Sequence, residues 1–150
     1  MSYINTVTND YPLSAADVRA AYPNISFPAE VAGFEAAIAD MGYDVVQVTP
    51  QPTITYTQNL AEGVPAESEG IYEQTWIVSD ASADEVSQRT ADQATNVRQD
   101  RNERLADCDW TQLPDAPVDA AVWATYRQAL RDVTSQSGFP WNVTWPSPPS

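Results

Sequence analysis

The stretch from Ala83 to about Asp107 contains no glycine and no proline, and it constrains the fold more than any other feature of the sequence. Ser82 and Glu85 stand at the spacing of a capping box, so a long helix is predicted to begin here. The apolar residues of this helix are few: Val86, Ala94, Val97 and Leu105. Because so thin an apolar stripe cannot build its own core, the helix either projects into solvent or packs on a partner.

The segment DWTQLPDAP, residues 109–117, is predicted to end this helix. Pro114 disfavours helical geometry at Leu113, and Pro117 suits the first turn of a further helix. We therefore interpret the segment as an elbow between two antiparallel helices. Trp110 and Leu113 are expected to close the end of this helical hairpin.

The second helix of the hairpin is predicted over residues 117–135. Asp119 places a carboxylate near its N-terminus, where the helix dipole favours negative charge. Gly138 can end it. An apolar stripe at helical spacing is formed by Val122, Tyr126, Ala129, Leu130 and Val133, and the neighbouring row is formed by Trp123, Arg127 and Arg131.

The last segment, residues 138–150, reads GFPWNVTWPSPPS and holds four prolines and three aromatic residues. Because proline is excluded from helix interiors and central strands, an extended, polyproline-like conformation is predicted. Two interpretations remain open at this stage. Phe139, Trp141 and Trp145 either lie back over the helical hairpin and complete its core, or dock into another protein.

The first 80 residues favour a small α+β domain, in which one or two helices cover one face of an antiparallel sheet. Segments rich in Val, Ile, Thr and aromatic residues are predicted as strands: SYINTVT (2–8), YDVVQVT (43–49), TITYT (53–57) and GIYEQTWIVS (70–79). The polar segment NLAEGVPAESE, residues 59–69, is predicted as an exposed hairpin loop between the last two.

Two helices are predicted between the first two of these strands. Ser14 and Asp17 stand at the spacing of an N-cap and its third helical residue, which predicts a short helix in LSAADVRAAY. Pro28 suits the first turn of the next helix, and Gly42 suits the left-handed position after its end. Its predicted inward face consists of Val31, Phe34, Ala37, Ile38 and Met41.

The charge changes along the chain and marks the main predicted boundary. Residues 1–86 hold 13 acidic residues and one basic residue, whereas residues 87–150 hold 8 acidic and 6 basic residues. The predicted divisions are a small α+β domain (1–80), a helical hairpin (81–137) and an extended tail (138–150).

A formal net charge of −14 argues against nucleic acid and anionic membranes as partners. The N-terminus MSYINTVTND has neither a basic end nor an apolar run, so no signal peptide is expected. No stretch approaches the roughly 20 apolar residues that span a bilayer. These features predict a cytosolic protein.

The sequence offers little catalytic chemistry. It has no histidine, and its single cysteine, Cys108, therefore lacks the usual partner that activates a thiolate. Zinc sites of the usual types, a phosphate-binding glycine loop and a calcium loop are not found. We expect no enzyme activity, no metal and no cofactor. Because acidic residues are numerous, a catalytic pair of carboxylates remains open as an alternative.

The segment DCDWTQLPDAPVDAAVWATYRQALRDV, followed by GFPWNVTWP, resembles the C-terminal signature of bacteriophage tail-fibre assembly chaperones and related phage tail proteins. The resemblance covers residues 107–146. It implies a protein without enzyme activity that binds a trimeric tail fibre, usually at its distal end, and assists its folding and trimerisation. Such proteins act in the host cytoplasm during assembly, and some remain on the virion tail.

The resemblance also implies a set of partner-binding residues: Trp110, Leu113, Pro114 and Pro117 at the elbow, Trp123, Tyr126, Arg127 and Arg131 on the helix, and Phe139, Pro140, Trp141 and Trp145 in the tail. The competing interpretation is that most of them maintain the hairpin. Arg127 and Arg131 are favoured as contacts, because arginine offers planar recognition with several donors.

Two other functions remain open. The chain could be a permanent part of the phage tail, such as a fibre or baseplate connector, in which case other tail or baseplate proteins are its partners. It could also be an enzyme that acts on host surface polysaccharide, although 150 residues without a repeat argue against this.

Overall fold

The computed structural model describes residues 1–149, which fold into six strands and four helices. The N-terminal elements are β1 (Ser2–Asn5), α1 (Ala15–Ala21), α2 (Val31–Ala39), β2 (Tyr43–Gln47), β3 (Gln58–Glu62), β4 (Ala66–Ser68), β5 (Ile71–Glu73) and β6 (Trp76–Asp80). The C-terminal elements are α3 (Ala83–Asp107) and α4 (Ala120–Asp132), with short 3₁₀ turns at Asp109–Gln112 and Val133–Ser135. The chain divides into two compact units, Met1–Asp80 and the chain from Ala81 onward.

The α+β class predicted from the sequence is confirmed, but the main sheet is mixed. Its strand order is β1-β2-β5-β4. The β1–β2 and β4–β5 pairs are antiparallel, whereas β2 and β5 are parallel. The prediction of a wholly antiparallel sheet is therefore wrong. After β2 the chain does not turn straight back, because Pro50 and Pro52 prevent the strand from continuing. It returns to the main sheet only at β4, and β5 then pairs in parallel with β2.

Strands β3 to β6 form one bent hairpin. Its turn lies at Glu69 and Gly70, which both have positive φ, as a two-residue type I′ turn requires. Glu62 faces Trp76, whereas Ala66 faces Glu73, so one strand advances by four residues where the other advances by three. This bulge separates the β4–β5 part, which belongs to the main sheet, from a two-stranded ribbon of β3 and β6.

Two predictions for this region are wrong. The segment TITYT, residues 53–57, forms no strand, because Thr55 turns the chain: its carbonyl accepts from the Gln58 N–H, and its own N–H donates to the Gln58 side chain. The segment 59–69, predicted as a loop, supplies strand β4 and most of β3. Gly63 and Pro65 lie at the bulge and not at the turn, so pairing with β6 overrides the local loop signal.

The core of the N-terminal unit lies between the main sheet and the two short helices. Its buried members are Tyr3, Val18, Phe34, Ile38 and Tyr43. The capping box predicted at the start of α1 is present, and Gly42 has the predicted positive φ of 81°. Helix α2 starts at Val31 and not near Pro28. Val31, which was predicted to belong to the inward face, is 53% exposed, so this part of the prediction is wrong.

The C-terminal unit follows its local sequence signals closely. Helix α3 begins with the predicted capping box of Ser82 and Glu85. Helix α4 begins three residues later than Pro117, because the Asp119 carboxylate is its N-cap and accepts from the N–H groups of Ala121 and Val122. Across residues 1–149, no helix has both the length and the apolar character needed to cross a membrane.

Replacing Phe34→Ala should lower the free energy of unfolding of the N-terminal unit by about 3–5 kcal/mol, because it opens a cavity in the core. It also removes the edge contacts with the rings of Tyr3 and Phe27. The matched control is Val31→Ala on the same helix, which should cost less than about 0.5 kcal/mol. Urea unfolding followed by circular dichroism measures both, and equal losses would contradict the assignment of Phe34 to the core.

Candidate docking surface of the C-terminal unit

Arg127 on α4 is buried in the hairpin and is only 8% exposed. Its Nη1 donates to the carbonyl oxygen of Leu105 at 2.7 Å and to the Sγ of Cys108 at 3.0 Å. Its Nη2 forms an ion pair with Asp109 at 2.7 Å. The guanidinium thus gives a strong donor to a carbonyl in the last turn of α3, which otherwise accepts longer hydrogen bonds from Cys108.

The surroundings of Arg127 keep it charged. Burial alone would lower its pKa, but the hydrogen bonds to Asp109 and Cys108 outweigh burial, and the pKa is raised above its usual value. Arg127 was favoured from the sequence as a partner contact, and the structure instead places its donors inside the unit.

The elbow is closed by Thr111. This side chain is fully buried, and its hydroxyl donates to the carbonyl oxygen of Cys108 at 2.6 Å. Cys108 and Thr111 point to the same side, because residues three apart eclipse in a 3₁₀ turn. The expectation that Trp110 and Leu113 close the hairpin is therefore wrong, since these side chains are 47% and 58% exposed.

The elbow and the start of α4 carry a group of aromatic and aliphatic side chains that are exposed or partly buried. We define this elbow surface by Trp110, Leu113, Pro117, Val122 and Trp123. The rings of Trp110 and Trp123 lie 6.0 Å apart, and Trp123 packs edge-on against Tyr126. Val122, expected in the inward stripe, is 48% exposed.

A groove of about 430 Å³ opens beside this surface. It is lined by Pro117, Val118, Asp119, Val122, Trp123 and Pro149. An exposed apolar surface next to a groove is typical of a protein-binding site. All of these lining residues except Pro149 belong to α4 and the segment just before it, whose path Arg127 and Thr111 hold in place.

The tail lies back over α3 and supplies the surface that this polar helix lacks. The Arg98 guanidinium lies 5.2 Å from the centre of the Phe139 ring, and the Arg104 guanidinium lies 4.4 Å from the centre of the Trp145 ring. Trp145 also packs on the cluster of Cys108, Tyr126 and Leu130. Of the two interpretations left open by the sequence, the structure shows the first for Phe139 and Trp145.

The tail is held at its start by a tight turn. The Gln136 side chain and the backbone of Thr144 exchange two hydrogen bonds of 2.8 and 2.7 Å. The Asn142 N–H donates to the carbonyl oxygen of Gly138 at 2.7 Å. A Cβ at Gly138 would lie 2.1 Å from the Asn142 carbonyl oxygen, so the turn requires glycine.

The predicted partner-binding residues fall into three classes by exposure. The exposed ones are Trp110, Leu113, Pro114, Pro117, Arg131 and Trp141; the partly buried ones are Trp123, Phe139 and Trp145; the buried ones are Tyr126, Arg127 and Pro140. Val122 was not predicted from the sequence to be a surface residue, and Thr111 was not predicted to be the buried residue that closes the elbow. The spacing of Cys108 and Thr111 by three residues was the available signal for the latter.

The described residues offer no evident metal site. Within residues 1–149, no group of three or more Cys, Asp or Glu side chains is arranged to hold a metal ion. Cys108 is buried and donates to the carbonyl oxygens of Arg104 and Leu105 at 3.1 and 3.3 Å. The thiol is thus part of the elbow packing.

Comparison with known families finds a match in the segment that contains this surface. Residues 94–150 match the model of a family described as phage tail assembly chaperone protein. The match covers the last half of α3, the elbow, α4 and the tail, and it confirms the resemblance to phage tail assembly chaperones. Comparisons with curated proteins and with solved structures gave no match. The family supports a chaperone role in tail assembly, which implies binding to phage tail proteins.

Replacing Arg127→Gln should lower the free energy of unfolding of the C-terminal unit by about 1.5–3 kcal/mol, because the charged hydrogen bonds to Leu105 and Asp109 are lost. The control Arg131→Gln removes an exposed charge from the same helix and should cost less than about 0.5 kcal/mol. Urea unfolding measures both. A larger loss for Arg131→Gln would show that Arg127 does not organise the elbow.

Replacing Gly138→Ala should release the tail from α3, because the added Cβ collides with the Asn142 carbonyl. Amide hydrogen exchange in residues 139–145 should accelerate by about tenfold or more, while exchange in the middle of α3 changes less. The control is Ser137→Ala at the neighbouring exposed position. Unchanged tail protection in Gly138→Ala would mean that the turn does not hold the tail in place.

Proposed function

We propose that this chain is a phage tail-fibre assembly chaperone. It binds the fibre protein, at the fibre's distal end, and assists its folding and trimerisation in the host cytoplasm. The proposed activity is binding alone, with no catalytic step, metal or cofactor. The observation that carries the proposal is the elbow surface, which lies inside the segment that matches the tail assembly chaperone family.

The geometry of the elbow surface supports a docking role. Trp110 and Trp123 offer large rings beside a groove, and tryptophan is enriched among residues that dominate binding energy. These rings are presented by a helix and a short turn whose positions are fixed by buried contacts. Little conformational freedom is therefore lost when a partner binds.

The charge of the chain supports a chaperone role as well. With a net charge of −14, the chain repels other copies of itself. A fibre protein whose apolar end is covered by this chain gains an acidic surface. Such a complex is less prone to aggregate than the unassembled fibre.

The test is co-expression of the chain with the tail-fibre protein of the same phage, followed by size-exclusion chromatography with light scattering. We expect a soluble fibre trimer that elutes together with the chain. Val122→Glu, which places a charge in the groove, should weaken fibre binding about tenfold or more. The matched control is Ala124→Glu, which adds the same charge at another exposed position of α4.

The other outcomes are equally informative. If the fibre protein trimerises alone and does not elute with the chain, the chaperone function is wrong. If it trimerises alone and the chain is found in purified virions at fixed stoichiometry, the chain is a permanent connector of the tail. Equal binding by Val122→Glu and Ala124→Glu would move the contact away from the elbow surface.

A further inference from the structure

The ribbon of β3 and β6 projects beyond the main sheet as two strands only. An isolated two-stranded ribbon is marginally stable in water. Apolar side chains lie on both of its faces: Ile77, opposite Ala61, is 55% exposed, and Val78, opposite Leu60, is 43% exposed. A third strand would therefore find side chains to pack against on either face.

The outer edge of β6 continues the edge of β5 that pairs with β2. The β2–β5 pairing ends at Gln47 and Glu73, and the chain beyond β2 is held there by the Gln74 N–H, which donates to the Gln47 carbonyl. Pro50 and Pro52 then prevent β2 from continuing along β6. Strand β2 therefore ends before it could pair with the outer edge of β6.

The hydrogen-bond pattern between β3 and β6 determines which backbone groups of β6 point away from β3. The Gly63 N–H donates to the Thr75 carbonyl at 2.9 Å, so Gly63 and Thr75 form a hydrogen-bonded pair. Because such pairs alternate in an antiparallel ladder, the backbone groups of Trp76, Val78 and Asp80 point away from β3. Within residues 1–149, no backbone hydrogen bond from outside the ribbon reaches the outward groups of Val78.

The chain contacts the β6 edge at its start, where the Thr49 hydroxyl donates to the Gln74 carbonyl and accepts from the Trp76 indole N–H. On the opposite edge of the ribbon, the chain pairs with the backbone of β3 itself. On β3, the Gln58 N–H donates to the Thr55 carbonyl. At the other end of β3, the Glu62 carboxylate accepts hydrogen bonds from Tyr11 and Gln74. Among the outward backbone groups within residues 1–149, that of Gln58 on β3 is therefore already paired by the chain, whereas those of Val78 on β6 are not.

The charge of the N-terminal unit selects the kind of strand that can bind there. Residues 1–80 contain eleven acidic residues and one basic residue, Arg19. A second copy of this unit would bring like charges together, which disfavours pairing of two copies. An uncharged or basic strand meets no such repulsion.

We propose that the outer edge of β6 binds an extended, uncharged or basic strand of the tail protein that this chain assists, which then becomes the third strand of the ribbon. This binding mode is β-strand addition, in which backbone hydrogen bonds supply the affinity and side-chain contacts supply the selectivity. The inference rests on the proposed function and adds a second contact region, in the N-terminal unit, to the elbow surface.

The test is residue-resolved amide hydrogen exchange of the full chain, alone and in complex with the tail-fibre protein of the same phage. The amides of Trp76, Val78 and Asp80 should slow by about tenfold or more on binding, because they gain hydrogen bonds. The amides of Ile77 and Ser79 already pair with β3 and should change less. This alternation distinguishes strand addition from general shielding of the ribbon.

A pair of variants tests the same edge by affinity. Val78→Pro removes an outward N–H donor and should weaken fibre binding about tenfold or more. Val78→Thr keeps that donor and a β-branched side chain, and it should bind nearly as well as the unchanged chain. Slow exchange at Ile77 and Ser79 in Val78→Pro would show that the ribbon itself is intact.

Each contrary result is assigned to one proposal. If the fibre protein binds without slowing exchange at Trp76, Val78 and Asp80, strand addition is wrong while the chaperone function stands. If no tail-fibre protein binds the chain at all, both proposals are wrong. If the free chain dimerises and protects these same amides, the edge binds a second copy, which overturns the assignment to a tail protein.

Discussion

The C-terminal unit depends on the hydrogen bonds of the buried Arg127 guanidinium. One side chain joins the last turn of α3, the thiol of Cys108 and the carboxylate of Asp109. A charge in such a site is tolerated only when its donors are paired, so the three groups are held in one arrangement. That arrangement fixes the path of the elbow, and the path leaves Trp110 and Leu113 facing solvent.

The segment that matches the chaperone family therefore combines two kinds of residue. Tyr126, Arg127 and Pro140 are buried and maintain the hairpin, whereas Trp110, Leu113 and Pro117 are exposed on the elbow. A family signature does not by itself separate these roles. Exposure and hydrogen bonding distinguish the two roles. By these criteria the candidate contact residues are the apolar side chains beside the groove, and the buried Arg127 is not among them.

The polar helix α3 packs against the tail of the same chain. The guanidinium groups of Arg98 and Arg104 stack on the rings of Phe139 and Trp145. The arginines that give α3 its polar character therefore also bind the tail. In the N-terminal unit, by contrast, no strand within residues 1–149 pairs with the outer edge of β6. The two units thus differ in what they leave for another molecule.

By itself the sequence determined the features that depend on neighbouring residues. The capping boxes at Ser14 and Ser82, the uninterrupted helix α3, the left-handed Gly42 and the break at the elbow were all predicted, because each follows from rules that span a few residues. The elbow and the aromatic tail were likewise located as the candidate site, though not the side chains that each exposes.

Only the tertiary structure decided which strands pair and which side chains are buried. In the tertiary structure, residues 58–62 pair with β6 and the chain turns at Thr55. Thr111 and Arg127 are buried, and Val122 is exposed. These outcomes depend on contacts between residues far apart in the chain. A strand forms its ladder hydrogen bonds, and a buried arginine reaches its acceptors, only when segments distant in sequence come into contact. Local propensities do not determine which segments come into contact.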